Sequence, residues 1–401
     1  MQEKNWNAKR MTGIPFSGIR KIMQEATLLE TQGKSIIHLE IGRPDFDTPQ
    51  HIKDAAKQAL DDGFVHYTSN YGTLELRQAI AEKLQRDNSV QVDPATEIIV
   101  TVGTNEAIAI AMLALIDPGD EVLIPDPTWL HYFYCVQLAG GVPIHVPLRA
   151  ANHFQIDPAD LARAITQRTK MIIVNSPHNP TGAVLDQTIL KEIAELAIKR
   201  DLLVLSDEIY EKIIYDGVQH FSIANLPGMA ERTLTANGFS KTYSMTGWRV
   251  GYIAARKHFI DAMIRVHQSS ATSATSFAQS GALAAYRGSQ ECVRQMTAEF
   301  ARRRDFIVRA LARIEGIECV KPAGAFYTFP SIKNLGLSSE EFTLNLLHAG
   351  VAVVPGSAFG EYGEGYVRIA YSNSYENLEI AMDRIADAVR KIRTGSRATS
   401  A

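Results

Sequence analysis

The stretch from Lys170 to Tyr210 opens with Lys170-Met-Ile-Ile-Val-Asn175 and continues with Ser176-Pro-His-Asn-Pro-Thr-Gly182. Gln187 to Arg200 follows, and the stretch closes on Leu202-Leu-Val-Leu-Ser-Asp-Glu-Ile-Tyr210. The first run is short, apolar and β-branched, as a buried strand requires. A turn rich in Pro and Asn ends it. Gln187 to Arg200 then carries apolar residues at Ile189, Ile193, Leu196 and Ala197, the spacing of one helix face. Asp186 stands where an N-cap is expected. Leu202 to Leu205 is a second apolar strand. Strand, helix and strand in this order predict parallel pairing.

The pattern repeats outward. Ile98 to Val102, Glu121 to Pro125, Thr233 to Asn237 and Val250 to Ala254 read as further strands, and Asn105 to Ile116 as a helix stopped by Asp117-Pro-Gly-Asp120. The expected architecture is α/β, a large domain over residues 48–289 with a mainly parallel sheet between helices. Beyond it, residues 290–313 read as an arginine-rich helix, Ala325 to Phe329 and Val351 to Val354 as strands, and Tyr375 to Ile392 as a last helix. Residues 1–47 and 290–401 are expected to form a smaller α+β domain. The tail from Thr394 to Ala401 is small and polar, and is expected to be frayed.

A chain of 401 residues suits two or three domains. Its 41 basic and 44 acidic residues leave a formal charge of −3, which gives no electrostatic reason to expect nucleic acid or an anionic membrane as partner. Three scattered cysteines imply neither a disulfide framework nor a paired zinc site, and fit a reduced, cytoplasmic setting. The longest apolar run, Ala107 to Ile116, is too short to cross a bilayer. Eleven histidines show no ligand spacing, so no metal is expected.

Ligands of open parallel sheets sit beyond the carboxyl ends of the strands. Five strand ends carry chemistry. Gly103-Thr104-Asn105 opens a helix, whose free amides suit a phosphate, or else forms an ordinary capped turn. Asn179 can offer an amide to a ligand oxygen, or its segment is a tight turn. Asp207 ends an apolar strand, where a carboxylate needs a positive partner or caps a helix, and Tyr210 follows one helical turn on. Ser240-Lys241 leads to Gly247-Trp-Arg249-Val-Gly251, whose arginine fork can meet a phosphate. Arg368, in Tyr366-Val-Arg-Ile-Ala-Tyr371, is either a carboxylate receptor or a structural ion pair. Together they suit a phosphorylated aromatic aldehyde held as a Schiff base, which is pyridoxal phosphate. No Gly-x-Gly-x-x-Gly, Gly-x4-Gly-Lys or His-Glu-x-x-His appears, which argues against the nucleotide and zinc alternatives.

These residues closely resemble the class I/II aminotransferases of the fold-type I pyridoxal-phosphate enzymes, and within them the bacterial aspartate-aminotransferase-like subgroup. The resemblance rests on Ile41 to Pro49, Tyr67 to Arg77, Asn175 to Gly182, Asp207 to Tyr210, Ser240 to Gly251 and Val353 to Gly356. It implies a fold-type I transferase with a seven-stranded-type sheet. It also implies transfer of an α-amino group from an L-amino acid to a 2-oxo acid, 2-oxoglutarate by family habit, in a ping-pong reaction. A lyase or cyclase on the same scaffold is the alternative.

By the same resemblance Lys241 is the Schiff-base lysine and the acid–base on the substrate Cα. Asp207 pairs with the pyridine nitrogen, Tyr210 and Asn179 bond the ring hydroxyl oxygen, and Trp129 stacks on the ring. Thr104, Asn105, Ser240 and Arg249 hold the phosphate, with Gly103 shaping the turn. Tyr67 reaches the phosphate of a neighbouring subunit, implying a homodimer with shared sites. Arg368 takes the substrate carboxylate, with Gly42, Trp129 and Asn179 at the substrate side. Two departures matter. Gly238 stands where many relatives carry a serine, and Asn105 where some aspartate-specific relatives carry a lysine. An apolar or aromatic amino donor is therefore expected at least as much as a dicarboxylate.

Overall fold

The computed structural model describes residues 6–16 and 18–398. Its strands are β1 (Ile37–His38), β2 (Ile98–Thr101), β3 (Glu121–Asp126), β4 (Val142–Pro147), β5 (Thr169–Asn175) and β6 (Leu203–Asp207). They continue as β7 (Thr233–Gly238), β8 (Gly251–Ala254), β9 (Tyr327–Thr328), β10 (Val351–Ala352), β11 (Val354–Pro355) and β12 (Val367–Ala370). Seven of them form one sheet in the order β2-β8-β7-β6-β5-β3-β4.

The strand–helix–strand unit read from residues 170–210 is present, with its helix over Gln187–Arg200. Alternate residues of β5 and β6 feed opposite cores, as the two-residue period of a strand demands. Ile173 and Leu205 pack on one side, and Ile172, Val174 and Val204 on the other. With both faces covered, the strands read as unbroken apolar runs. The helix buries Leu190, Ile193, Ala194 and Ala197, a stripe rotated from the one the spacing suggested. Asp186 occupies the N-cap position, but its side chain caps nothing.

Two features depart from the sequence reading. β8 runs antiparallel to both β7 and β2, whereas β3 to β7 pair in parallel. The reason is the connection: residues 239–250 make only turns, with no helix to carry the chain back across the sheet as a parallel pair usually requires. β4, Val142-Pro-Ile-His-Val-Pro147, escaped the pattern because it holds two prolines. It lies at the sheet edge, where an unpaired side tolerates them.

The remaining strands make an antiparallel sheet β11-β12-β9 and a parallel pair β1-β10. Their core of Phe300, Ile307, Phe326, Leu346 and Leu378 also takes in Ile209, Tyr210 and Ile213, just past β6. That packing carries Tyr210 from the large sheet toward β9 and β12. The last helix runs over Tyr375–Ala398, longer than expected. The tail expected to fray is therefore helical as far as Ala398, and residues 399–401 lie outside the described residues. Among the described residues no helix is long and apolar enough to cross a membrane.

Candidate active site

β5, β6 and β7 end side by side. Asn175 pairs in register with Asp207, and Asp207 with Ala236, so the three strands deliver their polar ends to one line. A cavity of about 260 Å³ opens there. Gly42, Thr104, Asn105, Trp129, Asn179 and Asp207 line it, and so do Tyr210, Ser240, Lys241, Arg249 and Arg368. The structure thus gathers eleven of the sequence-expected residues, from seven separate parts of the chain, around one space.

Asp207 is 2 % exposed. The Tyr132 hydroxyl donates to its Oδ2 at 2.7 Å and the Ile209 amide to its Oδ1 at 3.1 Å. Burial lifts its pKa to about 6, and those two hydrogen bonds oppose the rise. Without them so dry a carboxylate would rise further. A cationic ring nitrogen facing it would hold it ionised.

Lys241 sits in the return between β7 and β8. Its Nζ donates to the Gly42 carbonyl at 2.6 Å and lies 5.9 Å from the ring centroids of Tyr210 and Phe326. Burial, then the like charges of Arg368 and Arg249, lower its pKa to about 8, against a pull from Asp207. An amine with that pKa is about one-tenth neutral at pH 7, where a free lysine is almost wholly charged. Labelling of Lys241 in cofactor-free protein by a small amine reagent, followed by mass spectrometry, should therefore rise with a midpoint near pH 8. A midpoint near pH 10 would contradict this environment.

Arg368 lies on β12 and is 2 % exposed. Its guanidinium donates to Asn179 Oδ1 at 3.1 Å and to the Glu40 carbonyl at 2.5 Å, and sits 4.6 Å from the Tyr327 ring centroid. Its Nε is buried without a partner. Arg249 adopts φ 56, an unusual backbone state for a residue with a side chain. That turn lays its guanidinium against Gly103, where a Cβ would stand 2.4 Å from Nη2. Both of its bonds go to carbonyls, of Thr246 at 3.2 Å and Val102 at 3.3 Å. Three cations thus face neutral oxygens around one carboxylate. Cations so placed favour an anionic ligand.

The helix Thr104–Leu115 begins at this cavity with Gly103 as its N-cap at φ 76. Glycine at 251 lets β8 come close, since a Cβ there would lie 2.5 Å from the Thr104 amide nitrogen. Gly238 finds its reason too. Thr104 Oγ1 donates to the Asn237 carbonyl at 3.1 Å, and a Cβ on residue 238 would come within 2.9 Å of that hydroxyl. A side chain at 238 would crowd that hydroxyl and the backbone of Val250 and Gly251.

Asn105 is exposed, and its carbonyl accepts from His131 Nε2 at 3.1 Å. Trp129 stacks on His131, ring centroids 4.6 Å apart. Tyr67 is 87 % exposed and lies outside the cavity lining. Sequence reasoning missed Tyr132, which orients Asp207, and Tyr327, whose hydroxyl bonds that of Tyr210 at 2.8 Å. Tyr132 follows Trp129 by three residues, a signal within reach. Tyr327 carried only a strand signal. Its hydroxyl also explains Gly42, where a Cβ would fall 2.5 Å from it.

The family description "Aminotransferase class I and II" matches residues 34–385. An aspartate aminotransferase of Pyrococcus abyssi is 50% identical over 95% of this chain and 98% of its own length. An aromatic-amino-acid aminotransferase of Thermococcus litoralis is 48% identical over the same shares. A solved aspartate aminotransferase of Thermus thermophilus with maleate superposes at TM-score 0.92, with 40% identity, covering 96% of this chain and all of that one.

The chain belongs to the class I and II aminotransferases. It moves an amino group from an amino acid to a 2-oxo acid, and nothing in these likenesses favours the lyase or cyclase alternative.

Proposed function

We propose that this aminotransferase works with pyridoxal phosphate bound in the cavity above Asp207 and attached at Lys241. The carrying observation is the donor set: a lysine with lowered pKa, one buried carboxylate, and two arginines directed at neutral oxygens. The residues present fit such a group. A buried, unpartnered Nε on Arg368 suits a carboxylate, and the glycines at 103 and 251 open a cradle that a Cβ would fill.

When bound, the cofactor supplies an aromatic ring that withdraws electrons from the substrate Cα. The chain's own residues do the rest. Thr104, Asn105, Ser240 and Arg249 hold the phosphate at the helix start. Asp207, held by Tyr132, would pair with the ring nitrogen. Tyr210 and Asn179 would bond the ring hydroxyl oxygen, and Trp129 would stack on the ring. Arg368 orients the substrate carboxylate. Lys241 Nζ, once freed by the substrate's amino group, would take the proton from the substrate Cα and hold it as an ammonium, a task suited to an amine with pKa near the working pH.

Gly251→Ala is expected to push the Thr104 amide from its place. Cofactor retention in dialysis should fall about tenfold, the scale of one lost charge-assisted bond. Unchanged retention would remove that helix start from the phosphate site.

The reading extends to a homodimer, with Tyr67 of each chain reaching its neighbour's phosphate. We place the large domain at residues 48–289 and the small one at 1–47 with 290–401, in a cytoplasmic protein. With Asn105 offering no cation at the helix start, apolar and aromatic amino acids are the proposed donors and 2-oxoglutarate the acceptor. A panel of amino donors against 2-oxoglutarate and pyruvate tests this. Aromatic donors should turn over at least as well as aspartate, and strict aspartate dependence would overturn the donor assignment.

A further inference from the structure

Behind the cavity wall, away from the ligand side, lies a buried polar cluster that the reaction does not use. Glu211 follows Tyr210 and is 7 % exposed. Lys83, on the helix Leu74–Asn88, is 2 % exposed and its Nζ is ion-paired with Glu211 Oε1. Asn88 joins them, accepting from Lys83 Nζ at 2.8 Å and donating to Glu211 Oε2 at 2.8 Å. The nearby ligand atoms of Glu208, Glu211 and His220 lie within 4.8 Å of one another, a spacing that could hold a metal ion. The Lys83 ammonium already supplies a cation there.

From this ion pair a chain of hydrogen bonds runs to the phosphate cradle. Asn237 Nδ2 donates to Glu211 Oε1 at 2.9 Å. Asn237 Oδ1 accepts from the Gly238 amide at 2.7 Å, and the Asn237 carbonyl accepts from Thr104 Oγ1 at 3.1 Å. Asn237 is 1 % exposed and stands near the end of β7, just before Ser240 and Lys241. Its amide therefore has one orientation that satisfies both ends. Were Glu211 unable to accept, Nδ2 would be buried and unpaired, and the asparagine would have to move.

We infer that Glu211, held by Lys83 and Asn88, is a positioning residue that fixes Asn237, and through it Thr104 and the phosphate cradle. The inference rests on the phosphate assignment made above. Removing one charge alone would leave the other bare in the interior, so single substitutions are uninformative about positioning. Two double variants separate the roles. Lys83→Met/Glu211→Gln removes both charges but keeps an acceptor for Asn237. Lys83→Met/Glu211→Leu removes both charges and the acceptor.

The readout is the rate at which holoenzyme loses its visible cofactor band on dialysis against inorganic phosphate, with KM for the amino donor and the thermal midpoint measured alongside. The Gln form should release cofactor within about twofold of wild type. The Leu form should release it about tenfold faster, the scale of one buried unpaired donor. KM for the amino donor should change by less than about twofold in both, because Arg368 lies outside this chain of bonds. Equal release rates in the two double variants, whether slow or fast, would overturn the positioning role. Wild-type protein that takes up no cofactor would instead overturn the phosphate assignment beneath it.

Discussion

Lys241→Ala is expected to lower transamination by at least about a thousandfold, the upper range for loss of a positioned acid–base group. The visible band of bound cofactor should disappear in the same protein. The two losses share a cause, because one Nζ both attaches the group and moves the proton. Stability should not fall with them. The folded pKa of Lys241, about 8, lies below the ordinary lysine value of 10.5. The folded state thus binds fewer protons between these values, and cofactor-free wild type gains stability as pH rises from about 8 to 10.5. Below pH 8 the buried charge costs on the order of 3 kcal/mol, which alanine relieves. Cofactor-free Lys241→Ala should therefore melt no lower than wild type at pH 7. A variant that melted far lower would owe its inactivity to misfolding.

Arg368→Met is expected to cut kcat/KM by about 10²–10³-fold, chiefly through KM, while the cofactor band stays. A buried charge-assisted pair with a carboxylate is worth several kcal/mol when one partner is removed. Methionine keeps much of the packing between Tyr327 and Phe359, whose ring centroids lie 4.6 and 4.9 Å from the guanidinium carbon. Arg368→Lys should not rescue, since an ammonium cannot reproduce the planar fork. Unchanged KM would remove Arg368 from the substrate site, and a lost band would place it with the cofactor instead.

These two residues also show what the sequence makes legible. Lys241 lies in a segment so dense in family-specific residues, from Ser240 to Gly251, that the expectation for it could be stated before any geometry, and the fold then sets it at the cavity. Arg368 could be singled out by chemistry alone, as an arginine inside an apolar strand. The parallel core was legible for the same reason. β5 and β6 are apolar on both faces, and the helix between them has a clear period.

What stayed hidden depends on contacts distant in sequence. Tyr132 matters because its hydroxyl meets Asp207, and Tyr327 because β9 brings it to Tyr210. The antiparallel course of β8 goes with a return that holds turns and no helix, which strand patterning does not register. Gly238, noted only as a departure from relatives with a serine, turned out to sit where a Cβ would crowd the Thr104 hydroxyl. The Lys83–Glu211 pair left no signal, because a lysine on a helix reads as solvated until the fold buries it.

The central claim is that one amine, that of Lys241, carries the cofactor in this cavity. Borohydride reduction of the holoenzyme, followed by peptide mass spectrometry, tests it most directly. The account predicts a single pyridoxyl-phosphate mass increment on the peptide containing Lys241. An increment on another lysine, or none on a protein that retains its visible band, would contradict it.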